Sequence, residues 1–268
     1  MPSLLYEKRD GIAYLTFNRP EVHNAWDAEA MVRLADAWQD FDSDDAMRVA
    51  IITGAGDKAF CAGADLKTLI PLFTRARPPE DDWDRRLIKD RNLQNPAILR
   101  DYPLYKPVIA AINGFCLAGG MELLQGTDIR IAAEHATFGL SEVKRALAPG
   151  GGSMVRLARQ IPYCKAMEIL LTGDRIPAQE AYRIGLVNYV VPADEVMPMA
   201  EKFARTLAEN GPLAVRKIKE TVITTAGLPL HDAYKIETKN SGVVFSSDDA
   251  KEGPRAFTEK RPPKYTGH

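Results

Sequence analysis

The chain has 268 residues, of which 46% are hydrophobic and 26% charged, proportions that exclude fibrous, collagen-like and wholly disordered proteins. Lys and Arg number 35 against 36 Asp and Glu, and a net charge of −1 provides no general attraction to nucleic acid or to an anionic membrane surface. Mean hydropathy is −0.23 and no apolar run approaches the roughly 20 residues that span a bilayer, so a soluble protein is expected. Met1–Arg9 carries neither the basic-then-apolar order of a secretory signal nor an Arg-rich transit pattern, which makes the cytoplasm the expected compartment. Cys61, Cys116 and Cys164 stand in no CxxC or His-rich arrangement, so neither a disulfide framework nor a metal site is expected.

In chain order, Ile12–Phe17 is an apolar, β-branched run that Asn18-Arg19-Pro20 closes, and it predicts a strand. From Asp27 to Phe41 apolar residues recur at three and four positions, with Asp27 placed to cap and Glu29 in the first turn, which predicts an amphipathic helix. Val49–Thr53 and Pro107–Ile112 read as short buried strands, each stopped by a Gly-containing turn. Strands alternating with helices indicate an α/β fold with mostly parallel pairing. Arg75 to Asp101 carries thirteen charges, Pro78-Pro79 and a small apolar cluster of Trp83, Leu87 and Ile88. This predicts a surface excursion whose short helix, about Asp81 to Arg91, lays its apolar face over the substrate pocket. Beyond about Pro198 the periodicity is helical: Met199–Asn210, Leu213–Thr225 and Leu230–Phe245. The chain therefore divides into a core, residues 1–197, and a helical C-terminal region, residues 198–268.

Two segments repeat one pattern of strand, small-residue turn and helix. The first is Asp57–Lys67, with Ala62-Gly63-Ala64-Asp65 at its turn and a helix expected from Asp65 or Leu66; the second is Asn113–Leu124, with Ala118-Gly119-Gly120 at its turn. Small side chains expose backbone N–H groups, and two such turns offering one N–H each to a single oxygen meet the requirement of an oxyanion hole. Glu122 near the start of the second helix sits at home beside the positive end of a helix dipole. Glu142 follows in Phe138–Val143, ahead of Pro149-Gly150-Gly151-Gly152, and as a pair the two carboxylates are candidates for general acid and base. His23, His135, His231 and His268 share no metal-ligand spacing, no serine sits in a nucleophile elbow, and the glycine run lacks the P-loop and dinucleotide patterns.

FCAGADL (60–66), KPVIAAING (106–114), GGMEL (119–123), DIRIA (128–132), FGLSE (138–142), LTGD (171–174) and FTEKR (257–261), in this order, resemble the enoyl-CoA hydratase/isomerase, or crotonase, family over almost the whole chain. The resemblance implies a spiral of ββα turns followed by a C-terminal helical region that builds a homotrimer or homohexamer. It implies an acyl-CoA substrate whose thioester oxygen is held by the backbone amides at Ala64 and Gly119, with Glu122 and Glu142 holding the water that adds to a 2-enoyl-CoA. Glu142 is then the proton donor to Cα and Glu122 the principal water activator. Ala62, Gly63, Asp65, Leu66, Gly120 and Lys260 fall where the family binds CoA and substrate, and CoA enters as part of the substrate with no separate cofactor, metal, nucleic-acid or membrane partner. Isomerisation, thioester hydrolysis or decarboxylation would use the same oxyanion hole, and a non-catalytic RNA-binding member would keep the scaffold; the balanced charge and the presence of both glutamates favour hydration. Three departures from the family pattern stand out: Ala118 in place of the first glycine of a triple, Glu21 where a basic residue is common, and a longer stretch from Lys67 to Lys106.

Overall fold

A computed structural model describes residues 1–90 and 93–268. Among the described residues ten strands form two sheets. The larger contains β1 (Leu4–Arg9), β2 (Ile12–Phe17), β3 (Val49–Gly54), β5 (Val108–Ile112), β7 (Ile129–Ala133) and β10 (Tyr189–Val191) in that spatial order; the smaller contains β4 (Ala59–Cys61), β6 (Phe115–Leu117), β8 (Thr137–Gly139) and β9 (Ile176–Pro177). Among the described residues only the β1–β2 and β8–β9 pairings are antiparallel. Each of β3, β5 and β7 in the large sheet is followed directly by its successor in the small sheet, and then by helix. The chain thus advances as a spiral of ββα turns, the crotonase architecture. Every residue of β3 and β5 is buried, which is why both read as unbroken apolar runs rather than as alternating ones.

Helix α1 (Ala28–Ser43) buries Met31, Leu34, Trp38 and Phe41, and Asp27 caps it by accepting from the Ala30 N–H at 2.8 Å. At the other end the buried Lys106 donates to the carbonyls of Phe41 and Asp44, both at 2.8 Å. An ammonium at the negative end of a helix is electrostatically favoured, so Lys106 ties α1 to the strand that begins two residues later.

The excursion differs from its expected placement. Its short helix is present as α3 (Asp82–Lys89), capped by Asp81; the expected end at Arg91 lies outside the described residues. Its apolar face rests on α1 rather than over a pocket: Leu87 is fully buried, the Arg33 guanidinium stacks 5.0 Å from the Trp83 ring, and Arg86 pairs with Asp36. Leu87→Ala is therefore expected to destabilise the fold by about 2–4 kcal/mol, as for other buried leucines, with no change in substrate preference. Urea unfolding beside a steady-state assay checks both halves.

Along the C-terminal region, α9 (Val196–Glu209) buries Val196, Ala200 and Ala204 as it packs across the large sheet. Helices α10 (Pro212–Thr225) and α11 (Leu230–Phe245) pack on one another, leaving Ile218, Val222, Leu230, Tyr234 and Phe245 exposed. A further helix, α12 (Asp248–Thr258), contains Gly253 and Pro254, residues that mask its periodicity in the sequence. The chain beyond it folds back: Glu252 accepts from Arg255, Arg261 and the Lys264 N–H, and Asp249 accepts from the N–H groups of Thr266 and Gly267. Among the described residues no helix is long and apolar enough to cross a membrane.

Candidate active site

A cleft of about 690 Å³ opens where the small-sheet strands end. The chain leaves β4 through Ala62-Gly63-Ala64, and a parallel bridge pairs Ala64 with Trp26: Trp26 N–H donates to Gly63 O, and Asp65 N–H donates to Trp26 O, both at 2.8 Å. In a parallel bridge the central residue leaves its own N–H out of the pairing, so the Ala64 amide is not used by the Trp26 segment. The chain leaves β6 through Ala118, whose N–H donates to Gly139 O at 2.9 Å, and enters α5 (Gly119–Leu124). Gly119 is the first residue of that helix, where an amide has no intrahelical acceptor.

The two turns touch, which explains their glycines. A Cβ on Gly63 would stand 2.6 Å from Ala118 Cβ and 2.9 Å from Gly119 N, and Gly63 has a φ of +92° that other residues avoid. A Cβ on Gly120 would stand 2.6 Å from Cys61 O. Gly63 and Gly120 thus let the backbones approach but do not line the cleft, whereas Ala62, Ala64, Asp65, Leu66 and Gly119 do. Ala118, the departure from triple glycine, adopts φ 50° and ψ −125°, a region strained for any side chain with a Cβ. Ala118→Gly is expected to relieve that strain and raise stability by about 1 kcal/mol; an unchanged or lower urea midpoint would contradict it.

Asp65 is placed differently from a ligand-binding carboxylate. Its Oδ1 accepts from the N–H groups of Lys67 and Thr68, and its Oδ2 pairs with Arg19 at 3.1 Å. The carboxylate closes a turn at residues 65–68, so α2 (Leu69–Phe73) starts three or four residues later than the pattern predicts. Arg19 also pairs with Asp27 at 3.2 Å, joining this turn to the start of α1. Lys260 is exposed, just beyond α12, with φ 55°, and is not among the residues lining the cleft of the single chain.

Both glutamates face the cleft. Glu122 occupies the first turn of α5 and is 7% exposed. Its carboxyl pKa is raised to about 7, first by burial and second by the charge of Glu142; N–H groups of Gly151 and Ser153 oppose the rise. Ser153 begins α6 (Ser153–Gln160), so the positive end of a helix faces a carboxylate that burial nonetheless holds partly protonated. Glu142, in a 3-10 turn spanning Ser141–Arg145, is also raised, chiefly by burial, and its Oε2 has no hydrogen-bond partner among the described residues. Two carboxyls at one cleft, both raised and Glu122 to about 7, can hold and exchange a proton near neutral pH.

Burial of Glu122 costs stability whenever the group is ionised. Its folded-state value of about 7 lies above the ordinary 4.5, so its contribution is fully present below pH 4.5 and is lost as pH rises through 7. Glu122→Gln should therefore stabilise the protein by about 1–3 kcal/mol at pH 8 and not at pH 4.5. Urea midpoints of both proteins at the two pH values provide the check.

Several cleft residues carry no signal in the sequence. Trp26 sits in a loop, Met31 comes from α1, Ile70 and Phe73 from α2, and Ile98 and Arg100 from the excursion. They meet only because the spiral brings distant segments to one wall.

The fold and this site define a crotonase-type protein. The family model described as enoyl-CoA hydratase/isomerase matches residues 7–268, and the chain belongs to that family. It is 45% identical over 264 residues to an enoyl-CoA hydratase, EchA19, of Mycobacterium tuberculosis, covering 98% of this chain and 96% of that one. It is 38% identical over 267 residues to the (E)-benzylidenesuccinyl-CoA hydratase of Thauera aromatica, covering 100% of both. A crystal structure of an enoyl-CoA hydratase from Mycobacterium tuberculosis H37Rv superposes with a TM-score of 0.88 at 39% identity, over 100% of both chains.

Proposed function

We propose that this protein catalyses the reversible hydration of a 2-enoyl-CoA to the 3-hydroxyacyl-CoA. The observation that carries the reading is the pair Glu122, buried, and Glu142, half-buried, both lining one cleft and both with raised pKa values. Hydration needs a base for the water and a proton for Cα, and a carboxyl poised near pH 7 serves both directions of transfer. Glu122 activates the water and Glu142 delivers the proton to Cα, the two exchanging roles when the 3-hydroxyacyl-CoA is dehydrated.

As the water adds, charge moves to the thioester oxygen. The Ala64 and Gly119 N–H groups, one left outside the Trp26 bridge and one at the start of α5, are the donors assigned to that oxygen. Fixed backbone donors need no reorganisation as charge develops, so their stabilisation is larger in the transition state than for the neutral carbonyl. The reaction so read requires only acid, base and oxyanion donors; CoA enters with the substrate and no separate cofactor takes part.

The names of both relatives described above, an enoyl-CoA hydratase and an (E)-benzylidenesuccinyl-CoA hydratase, support hydration over isomerisation. The apolar residues left exposed on α10 and α11 support a homotrimer or homohexamer. Loss of the conjugated-thioester absorbance on adding the protein to enoyl-CoAs of graded length and branching tests the function. Conversion of 3-enoyl-CoA without hydration of any 2-enoyl-CoA would assign isomerisation instead.

A further inference from the structure

Arg100 has no part in the reaction derived so far, and its setting is unusual. It stands between two non-glycine residues in the left-handed region, Leu99 at φ 53° and Asp101 at φ 48°. A buried leucine at positive φ persists only where the surroundings enforce it. Here they do: Arg156 donates to the carbonyls of both Ile98 and Leu99, and Arg100 N–H donates to Asn95 O at 2.8 Å. A strained, doubly tied backbone therefore fixes where the Arg100 side chain emerges.

It emerges into the cleft beside the glutamates. Arg100 Nη1 donates to Gly150 O, and the next residue, Gly151, lies so close to the Glu122 carboxylate that a Cβ there would meet Oε2 at 2.6 Å. The Arg100 charge is near enough to favour ionised Glu122. Its remaining ion-pair contact, with Asp101 at 3.7 Å, is exposed and long, and a guanidinium has donors to spare beyond one carbonyl. Gln94 and Asn95 line the same cleft, and their side-chain amides make no hydrogen bond to protein among the described residues. One cation and two uncommitted amides are poorly suited to the end of a plain hydrocarbon chain, because a methyl terminus would desolvate them without replacing their hydrogen bonds.

We infer that Arg100 is a specificity-determining residue that receives a carboxylate on the acyl group, so that the preferred substrate is the mono-CoA thioester of an unsaturated dicarboxylic acid. The inference rests on the hydratase reading, in which the β-carbon lies at the glutamates and its substituent extends past them toward Arg100. A planar guanidinium meets a carboxylate through paired N–H donors, with Gln94 and Asn95 available to the outer oxygens. The apolar part of the acyl chain would pass Ile98 on the way.

The test compares glutaconyl-CoA with its neutral isostere, in which an isopropyl group replaces the free carboxylate. The wild-type protein is expected to show the higher kcat/KM for glutaconyl-CoA. Arg100 is half-exposed in the open cleft, and Arg100→Gln should lower the ratio of the two kcat/KM values about tenfold, the loss of a charge-assisted contact to the substrate carboxylate, while Arg100→Lys should restore part of it. A wild-type preference for the isopropyl isostere, or a ratio unchanged in Arg100→Gln, overturns the inference. Should the wild type hydrate neither thioester, the hydratase reading still stands or falls on the wider enoyl-CoA panel, and calorimetric binding of glutaryl-CoA against its isopropyl isostere decides the Arg100 assignment. Tighter binding of glutaryl-CoA that Arg100→Gln abolishes upholds the assignment; equal binding of both esters overturns it.

Discussion

Glu142→Gln and Glu122→Gln are each expected to reduce turnover of 2-enoyl-CoA hydration by about 10²–10⁴-fold. Gln keeps the shape and polarity of each side chain, so the cleft and its affinity for the CoA ester should survive while proton transfer does not. The double variant should fall far short of the product of the two losses, because both groups act on one water and either alone is insufficient. The pH profile supplies a second readout. With Glu122 raised to about 7 by burial and by Glu142, the wild-type limb near neutrality belongs to the pair, and Glu142→Gln should shift it downward by removing the neighbouring charge. Glu142→Gln activity within tenfold of wild type would remove the acid role from Glu142 and point to isomerisation or another single-carboxylate reaction.

Gly119→Val is expected to lower turnover by about 10²-fold or more, comparable with deleting one oxyanion donor. The physical reason is a specific collision. A Cβ at position 119 would lie 2.8 Å from the Trp26 ring, and that ring cannot retreat: it is 3% exposed and packs against Phe17 with centroids 5.7 Å apart. The start of α5 must move instead, carrying the Gly119 N–H with it. Trp26→Leu in the Gly119→Val background should recover part of the lost turnover by making room, whereas a general folding defect would be deepened by the second change. Circular dichroism confirms that the fold persists, and wild-type kinetics in Gly119→Val would place the oxyanion donors elsewhere.

How far the site could be read in advance differs from residue to residue. Ala64, Gly119, Glu122 and Glu142 were expected from two small-residue turns and a family resemblance, and all four line the cleft. Gly63 and Gly120 came from the same motifs, yet they serve the close packing of the two turns rather than the cleft surface. Motif matching identifies a turn as a unit and cannot separate residues that face the cleft from those that face the neighbouring backbone. Asp65 does line the cleft, as the motif predicts; what the motif leaves unread is that its carboxylate accepts from the Lys67 and Thr68 amides and pairs with Arg19.

The sequence by itself determined the elements whose cause is local. The cap at Asp27, the three-and-four spacing to Phe41, the unbroken apolar runs of β3 and β5 and the Pro and Gly stops beside them act over a few residues. They therefore appear in the sequence at the places where the structure has them. Periodicity also revealed that the excursion has an apolar face. It could not reveal what that face covers, and tertiary structure placed it on α1, where Trp83 and Leu87 find a complementary surface. The raised pKa of Glu122, the unused amide of Ala64 and the emergence of Arg100 beside Gly150 are likewise tertiary facts. Desolvation, a parallel bridge and a strained turn held by Arg156 each depend on groups tens of residues away along the chain, and only the ββα spiral brings those groups into contact.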